Sequence, residues 1–154
     1  MKIALACDHG GFSLKKPVAE LIESLGHKVL DLGAHAHDPD DDYPDFARYV
    51  SQALQHGQAQ RAVLICGSGI GASVAATKHT GVRAAVCHDA YSAHQGVEHD
   101  DLNVLCMGAR VVGVALAEEL VKAFVGAAVT GEERHQRRLE KVKAIEQAQQ
   151  EERR

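Results

Sequence analysis

Cys66 is the residue in this sequence best placed to do chemistry. It ends the apolar run Ala62-Val63-Leu64-Ile65-Cys66 and is followed at once by Gly67-Ser68-Gly69-Ile70-Gly71, after which Ala72 to Lys78 can begin a helix. A glycine-rich turn at a helix start presents unpaired backbone N–H groups to an anion, and the helix dipole adds to the attraction. The same field favours the thiolate of a cysteine placed there, which makes Cys66 a candidate base or nucleophile. The plainer alternative is one more buried apolar thiol, the reading that suits Cys7, Cys87 and Cys106.

The loop also satisfies the dinucleotide pattern G-x-G-x-x-[GA] as Gly67, Gly69 and Ala72, with Asp89 after the next apolar run, near where a ribose would be held. Such matches arise easily in any glycine-rich strand-to-helix turn. A phosphatase loop of the Cys-x5-Arg kind requires Arg at position 72, which is Ala.

Of the ten histidines, His9 and His99 are the functional candidates. Asp8-His9 follows the first apolar run, and Gly10-Gly11 lets backbone approach a ligand closely. His99 lies in Glu98-His99-Asp100-Asp101, read as a polar turn whose acids keep a proton available to the imidazole. His35-Ala36-His37-Asp38, leading into Asp40, Asp41 and Asp42, has the residue types of a metal tract; it reads instead as a solvated loop before a helix that Asp42 or Asp45 helps start. No required metal is expected. Arg134, His135, Arg137 and Arg138 form a cluster suited to phosphate oxygens, although Glu132, Glu133 and Glu140 partly cancel its charge.

Something must hold these residues in place. Five short apolar runs recur, starting near Ile3, Lys28, Ala62, Arg83 and Val104, and most lack alternation, as strands covered on both faces do. Between them lie helically spaced positions: Leu14, Val18, Leu21, Ile22 and Leu25, then Phe46, Val50 and Leu54, then Val112 to Val125. Strand alternating with helix implies right-handed parallel crossovers and a Rossmann-like α/β fold: a three-layer α/β/α sandwich around a five-stranded parallel sheet. Ligands of such sheets bind beyond the carboxyl ends of the strands, where the residues singled out above fall. The last stretch, 131–154, has seven Lys+Arg and six Asp+Glu, and its Leu139, Val142 and Ile145 suggest an amphipathic C-terminal helical tail.

Composition narrows the function classes. At 154 residues, 45% hydrophobic and 25% charged, residues 1–154 read as one domain, able to hide roughly 70% of its unfolded surface without disulfide or metal. A net charge of −4 and 4% aromatic residues argue against nucleic acid and anionic membranes as partners. Four dispersed cysteines read as reduced thiols, and with no signal-like or membrane-length apolar stretch a cytoplasmic protein is expected.

Taken together, Cys7-Asp8-His9-Gly10-Gly11-Phe12, Asp42-Tyr43-Pro44, Leu64 to Gly71, Gly81-Val82-Arg83-Ala84, Asn103-Val104-Leu105, Gly108-Ala109-Arg110 and Arg134-His135 span nearly the whole chain. That combination resembles the type B ribose-5-phosphate isomerases and their relatives acting on galactose 6-phosphate and allose 6-phosphate. The resemblance implies aldose–ketose isomerisation of ribose 5-phosphate and ribulose 5-phosphate through an enediolate, with no metal or organic cofactor. It implies Cys66 as the base, the N–H groups of Gly67, Ser68, Gly69, Ile70 and Gly71 on the enediolate oxygen, and His99 as the acid opening the furanose ring. Asp8 is then placed for sugar hydroxyls, His9, Arg110, Arg134 and Arg138 for hydroxyl or phosphate oxygens, and Asp100 beside the substrate. The resemblance also implies a homodimer or homotetramer with shared sites, His99 and Arg110 facing Cys66 of another copy and the tail packing on a neighbouring chain.

Two positions depart from the pattern: Asp100, where many members carry Asn, and Thr77, where Asn often precedes the lysine. Some members use Glu at the position of Ala72 as the base, so Cys66 with Ala72 groups this chain with the thiol users. Two other possibilities stay open: a nicotinamide-dependent oxidoreductase built on Gly67, Gly69, Ala72 and Asp89, and a sugar-phosphate sensor without turnover.

Overall fold

The computed structural model describes residues 1–152. Five strands, β1 (Lys2–Cys7), β2 (Lys28–Asp31), β3 (Arg61–Cys66), β4 (Ala84–Val86) and β5 (Val104–Gly108), form one sheet in the order β2-β1-β3-β5-β4. Every neighbouring pair is parallel, with Ala4 beside Ala62 and Ala62 beside Val104 in register. Six α-helices alternate with and follow the strands: α1 (Phe12–Ser24), α2 (Tyr43–Gln55), α3 (Ile70–Ala76), α4 (Ala90–Asp100), α5 (Val114–Gly126) and α6 (Glu133–Glu152). The expected three-layer α/β/α sandwich is the observed fold.

The period-2 alternation of a strand sorts its side chains between two cores. Ile3, Leu5, Val63, Ile65, Leu105 and Met107 point to one face with Leu14, Val18 and Ile22 of α1 and Leu120, Val121 and Phe124 of α5. Ala4, Ala6, Ala62, Leu64, Val104 and Cys106 point to the other with Ala47, Val50 and Ala53 of α2 and Ala72 and Ala76 of α3. Both faces are therefore apolar, which is why the runs show no hydrophobic–polar alternation in sequence.

The strand order reverses between β1 and β3, since β1 continues to β2 on one side while β3 opens the other half. A crevice outside the carboxyl ends of β1 and β3 is the expected ligand position in such a sheet. The residues leaving those two ends are Asp8-His9-Gly10 and Cys66-Gly67-Ser68.

The tail adds a twenty-residue helix, α6, whose His135 and Leu139 are buried while Val142 and Ile145 stay exposed. Only the first part of the expected apolar stripe is thus covered by its own chain. Arg153 and Arg154 lie outside the described residues. No helix among the described residues is long and apolar enough to cross a membrane.

Candidate active site

Cys66 ends β3 and is 4% exposed. The chain then turns so that the Gly69 N–H donates to the Cys66 Sγ at 3.0 Å. This turn requires φ +81° at Gly69, a left-handed conformation glycine adopts without penalty. The carbonyls of Cys66 and Gly67 accept the Ala109 and Arg110 N–H groups at 2.9 and 3.0 Å, tying the loop to the end of β5. Opposite, Gly10 packs so closely that a Cβ on it would lie 2.8 Å from the Gly67 nitrogen.

Asp8 is 6% exposed, and its Oδ1 accepts the Gly11 N–H at 3.1 Å. Burial pushes its carboxyl above the usual carboxylate range, with the Gly11 N–H and the neighbouring His9 pulling the other way. His9 is held by Asp41: the Asp41 Oδ1 accepts the His9 backbone N–H at 2.9 Å and lies 2.7 Å from Nδ1. That bond raises the imidazole above its ordinary value, and the His9 Nε2 makes no hydrogen bond among the described residues.

These groups line a cleft of about 330 Å³ with Ser68, Gly71, Arg110, Val111 and Tyr43. Tyr43 fits over Gly71 so closely that a Cβ there would come within 2.7 Å of the ring. A thiol receiving an N–H, a free imidazole edge, a carboxylate and a guanidinium face one small volume, so the cleft can hold a polar anion and move a proton beside it. Asp8, His9 and Asp41 also bring ligand atoms within 4.8 Å of one another, the geometry a cation would use, although the His9 Nδ1 and Asp41 Oδ1 are already paired.

The second group of expected site residues lies elsewhere. Helix α4 returns from the carboxyl end of β4 to the amino end of the sheet, so His99 and Asp100, in its last turn, sit near the start of β5. Thr130, ahead of α6, is tied there by its N–H to the Glu98 carbonyl at 2.9 Å, and His99 stacks on His135 with ring centroids 3.7 Å apart. At about 3.3 Å per residue, a six-residue strand puts roughly 17–20 Å between the two ends of the sheet. His99, Asp100, Arg134 and Arg138 accordingly do not line the Cys66 cleft. Asp100 borders a different groove, about 560 Å³, between α6 and the β4–α4 edge.

Several expectations need correction. His99 is not in a polar turn but in the last turn of α4, and it makes no ion pair among the described residues; Glu98 pairs with His94 at 3.3 Å instead. Arg110, expected opposite the Cys66 of another copy, lies in the Cys66 cleft of its own chain because β5 delivers it beside β3. The 35–42 segment is not simply solvated: Asp41 turns inward, and its Oδ2 is buried without a hydrogen-bond partner among the described residues. Asp42 occupies the position before α2 but makes no side-chain cap, so it starts the helix by conformation alone. Asp89, the ribose ligand of the dinucleotide alternative, spends its Oδ1 capping α4, accepting the Ser92 N–H at 2.7 Å.

Tyr43, which lines the cleft, and Asp41, which holds His9 from behind, were not assigned roles from sequence. The signal for Asp41 was a run of three acids 31 to 33 residues after His9, but which of Asp40, Asp41 and Asp42 turns inward depends on the loop path.

The chain is similar to known proteins over most of its length. The profile of the family described as Ribose/Galactose Isomerase matches residues 3–142. Ribose-5-phosphate isomerase B of Escherichia coli is 44% identical over 146 residues, 95% of this chain and 97% of that protein. D-erythrulose-4-phosphate isomerase 2 of Mycolicibacterium smegmatis is 39% identical over 82% of this chain and 84% of its own length. Among solved structures, Clostridium thermocellum ribose-5-phosphate isomerase B superposes with a TM-score of 0.91 at 42% identity, covering 96% of this chain and 99% of that one.

Proposed function

This chain belongs to the ribose/galactose isomerase family, and on that premise we propose that it interconverts ribose 5-phosphate and ribulose 5-phosphate with Cys66 as the proton-transfer base. The observation that carries the reading is the Gly69 N–H directed at the Cys66 Sγ inside a cleft that also holds Asp8, His9 and Arg110.

The mechanism proceeds in two stages. His99 gives a proton to the ring oxygen of the furanose as the C1–O4 bond breaks, and the O1 hydroxyl proton passes to water, freeing the C1 aldehyde. The Cys66 thiolate then removes the C2 proton, and the electrons left behind form the C1–C2 enediolate. The Cys66 thiol, exchanging with solvent while the enediolate persists, gives a proton to C1 while the hydroxyl proton moves from O2 to O1, giving the ketose. N–H groups of the 67–71 loop stabilise the enediolate oxygen where charge develops, a role worth on the order of 3 kcal/mol per donor. Asp8 accepts from sugar hydroxyls, and His9, Arg110, Arg134 and Arg138 hold hydroxyl or phosphate oxygens, guanidinium being suited to phosphate by its planar fork.

His99, Arg134 and Arg138 lie at the opposite end of the sheet from Cys66 of the same chain. A complete site therefore takes its acid and two of its three arginines, Arg134 and Arg138, from another copy, and we assign the protein a homodimeric or homotetrameric state. Val142 and Ile145, exposed along α6, would be covered in that assembly. Each copy is one domain, with 131–154 as its assembly tail, and Asp100 accompanies His99 into the shared site.

The erythrulose relative favours a second reading of the same chemistry, with a four-carbon phosphate as substrate. Six-carbon allose and galactose phosphates differ from the first reading by one hydroxymethyl, which the cleft accommodates or rejects near the phosphate clamp.

The test incubates purified protein with ribose 5-phosphate in deuterated water, with EDTA and without nucleotide, and follows ketose and deuterium by proton NMR. Ketose carrying solvent deuterium, absent with Cys66→Ala, is the expected result. Silence on five-, four- and six-carbon phosphates alike overturns the reading and leaves the sensor or oxidoreductase alternatives.

A further inference from the structure

We propose that His135 is the positioning residue for His99: a buried imidazole stacked face to face on it that fixes its ring plane and leaves the pair's proton to His99. The inference rests on the reading of His99 as the ring-opening acid.

The two rings lie 3.7 Å apart and 28° from parallel. His135 is 3% exposed, in the first turns of α6, whereas His99 is half-buried on α4. The tautomer of His135 follows from counting protons. Glu98 O accepts both the Thr130 N–H at 2.9 Å and the Thr130 hydroxyl at 3.2 Å, so the single hydroxyl proton is spent there. The Thr130 Oγ1 also lies 2.9 Å from the His135 Nδ1; with its proton given to Glu98 O it accepts in that contact, and we take the neutral ring as the Nδ1–H form with Nε2 bare. His99 is held from its other side by Gln95, whose Nε2 is 2.7 Å from the His99 Nδ1. In the neutral ring Nδ1 accepts and the hydrogen sits on Nε2; when His99 is protonated, the Gln95 amide turns its oxygen to the new Nδ1–H.

Two stacked imidazoles at this distance cannot both carry a proton without direct repulsion. Burial is the first reason His135 resists protonation, and the facing His99 is the second; Arg134 and Arg138 add to the effect, and Glu132 opposes it. On the α4 side, the groups nearest are Gln95, Glu98 through its carbonyl, and Asp100, the neighbour of His99 in sequence. The neutral ring thus gives His99 a flat face that tolerates a cation, while its own bond to Thr130 anchors the stack to the turn between α5 and α6. An acid built this way is set by packing rather than by a carboxylate partner.

Histidine ¹⁵N NMR of the full-length protein from about pH 5 to 8, with steady-state rates on ribose 5-phosphate, tests the idea. In the wild type, His99 is expected to take the first proton while His135 remains the neutral Nδ1–H form; in His99→Asn, the His135 midpoint rises. His135→Asn keeps a donor for Thr130 but removes the ring, and kcat/KM should fall roughly tenfold, with the loss in kcat rather than KM. His135→Phe restores a flat ring and should recover to within about threefold of wild type. Protonation of His135 before His99, an unmoved His135 midpoint in His99→Asn, or a Phe variant no faster than the Asn variant would overturn the proposal. Where either His135 variant fails to fold, the wild-type and His99→Asn titrations still decide. A wild-type rate in His99→Asn, by contrast, refutes the ring-opening role itself.

Discussion

The Gly69 N–H points at the Cys66 sulfur from 3.0 Å, and the φ of +81° that aims it is available without strain only to glycine. An oriented N–H favours a sulfur that carries negative charge. The other three cysteines lie in settings that hold them as thiols: burial pushes Cys7 and Cys87 up to about 11 and raises Cys106 further still. The Cys66→Ala variant should accordingly lose kcat by about 10²- to 10⁴-fold while binding substrate nearly as well. Steady-state kinetics and calorimetry on the same preparation would check both halves of that statement.

Replacing Gly69 attacks the donor rather than the thiol. A Cβ there would sit 3.0 Å from the Met107 carbonyl carbon, and the left-handed backbone costs an L-residue about 1–2 kcal/mol. Gly69→Ala should lower the thermal midpoint and reduce kcat roughly tenfold or more, since the donor aimed at the Cys66 sulfur is displaced. An unchanged kcat in a destabilised variant would remove the N–H from the mechanism.

Ionic pairing at the cleft makes stability depend on pH. The bond to Asp41 raises the folded His9 above its unfolded value, so the pair's contribution is fully present below about pH 6.5 and is lost as pH rises through the folded value. Asp41→Asn should flatten that part of the stability profile and bring the His9 midpoint down towards its ordinary value. Chemical denaturation across pH, paired with NMR titration of His9, would test the sign directly.

Subunit mixing tests the shared site. Cys66→Ala and His99→Asn chains are each expected to be poor enzymes, but a mixed dimer would contain one site with both residues intact. Refolding the two variants together should restore activity that neither shows alone; failure to do so in a sample proven to contain mixed dimers would place Cys66 and His99 in one chain's site, against the separation across the sheet.

Much of this was readable from residue order. The five apolar runs become the five strands, because doubly covered parallel strands need apolar side chains on both faces. Within local turns, Cys66-Gly67-Ser68-Gly69 carries its own geometry: a strand end, a left-handed glycine and a helix start are set within a few residues. Asp8-His9-Gly10 was legible for the same reason, lying at the tip of the neighbouring strand.

Contacts between distant segments were decided by the tertiary structure. Asp41 reaches His9 across 32 residues only because the 35–42 loop folds back over the end of β1. Arg110 joins Cys66 because β5 is seated beside β3, and sheet order is not encoded by any run taken alone. His99 meets His135 because α4 and α6 pack together, while Glu98 pairs with His94 one turn back in α4. Residue type and spacing fix what each segment can do within a turn or a strand, where the chain itself sets the distances; partners many residues apart are chosen by crossover direction and packing, which emerge only when the whole sheet is assembled.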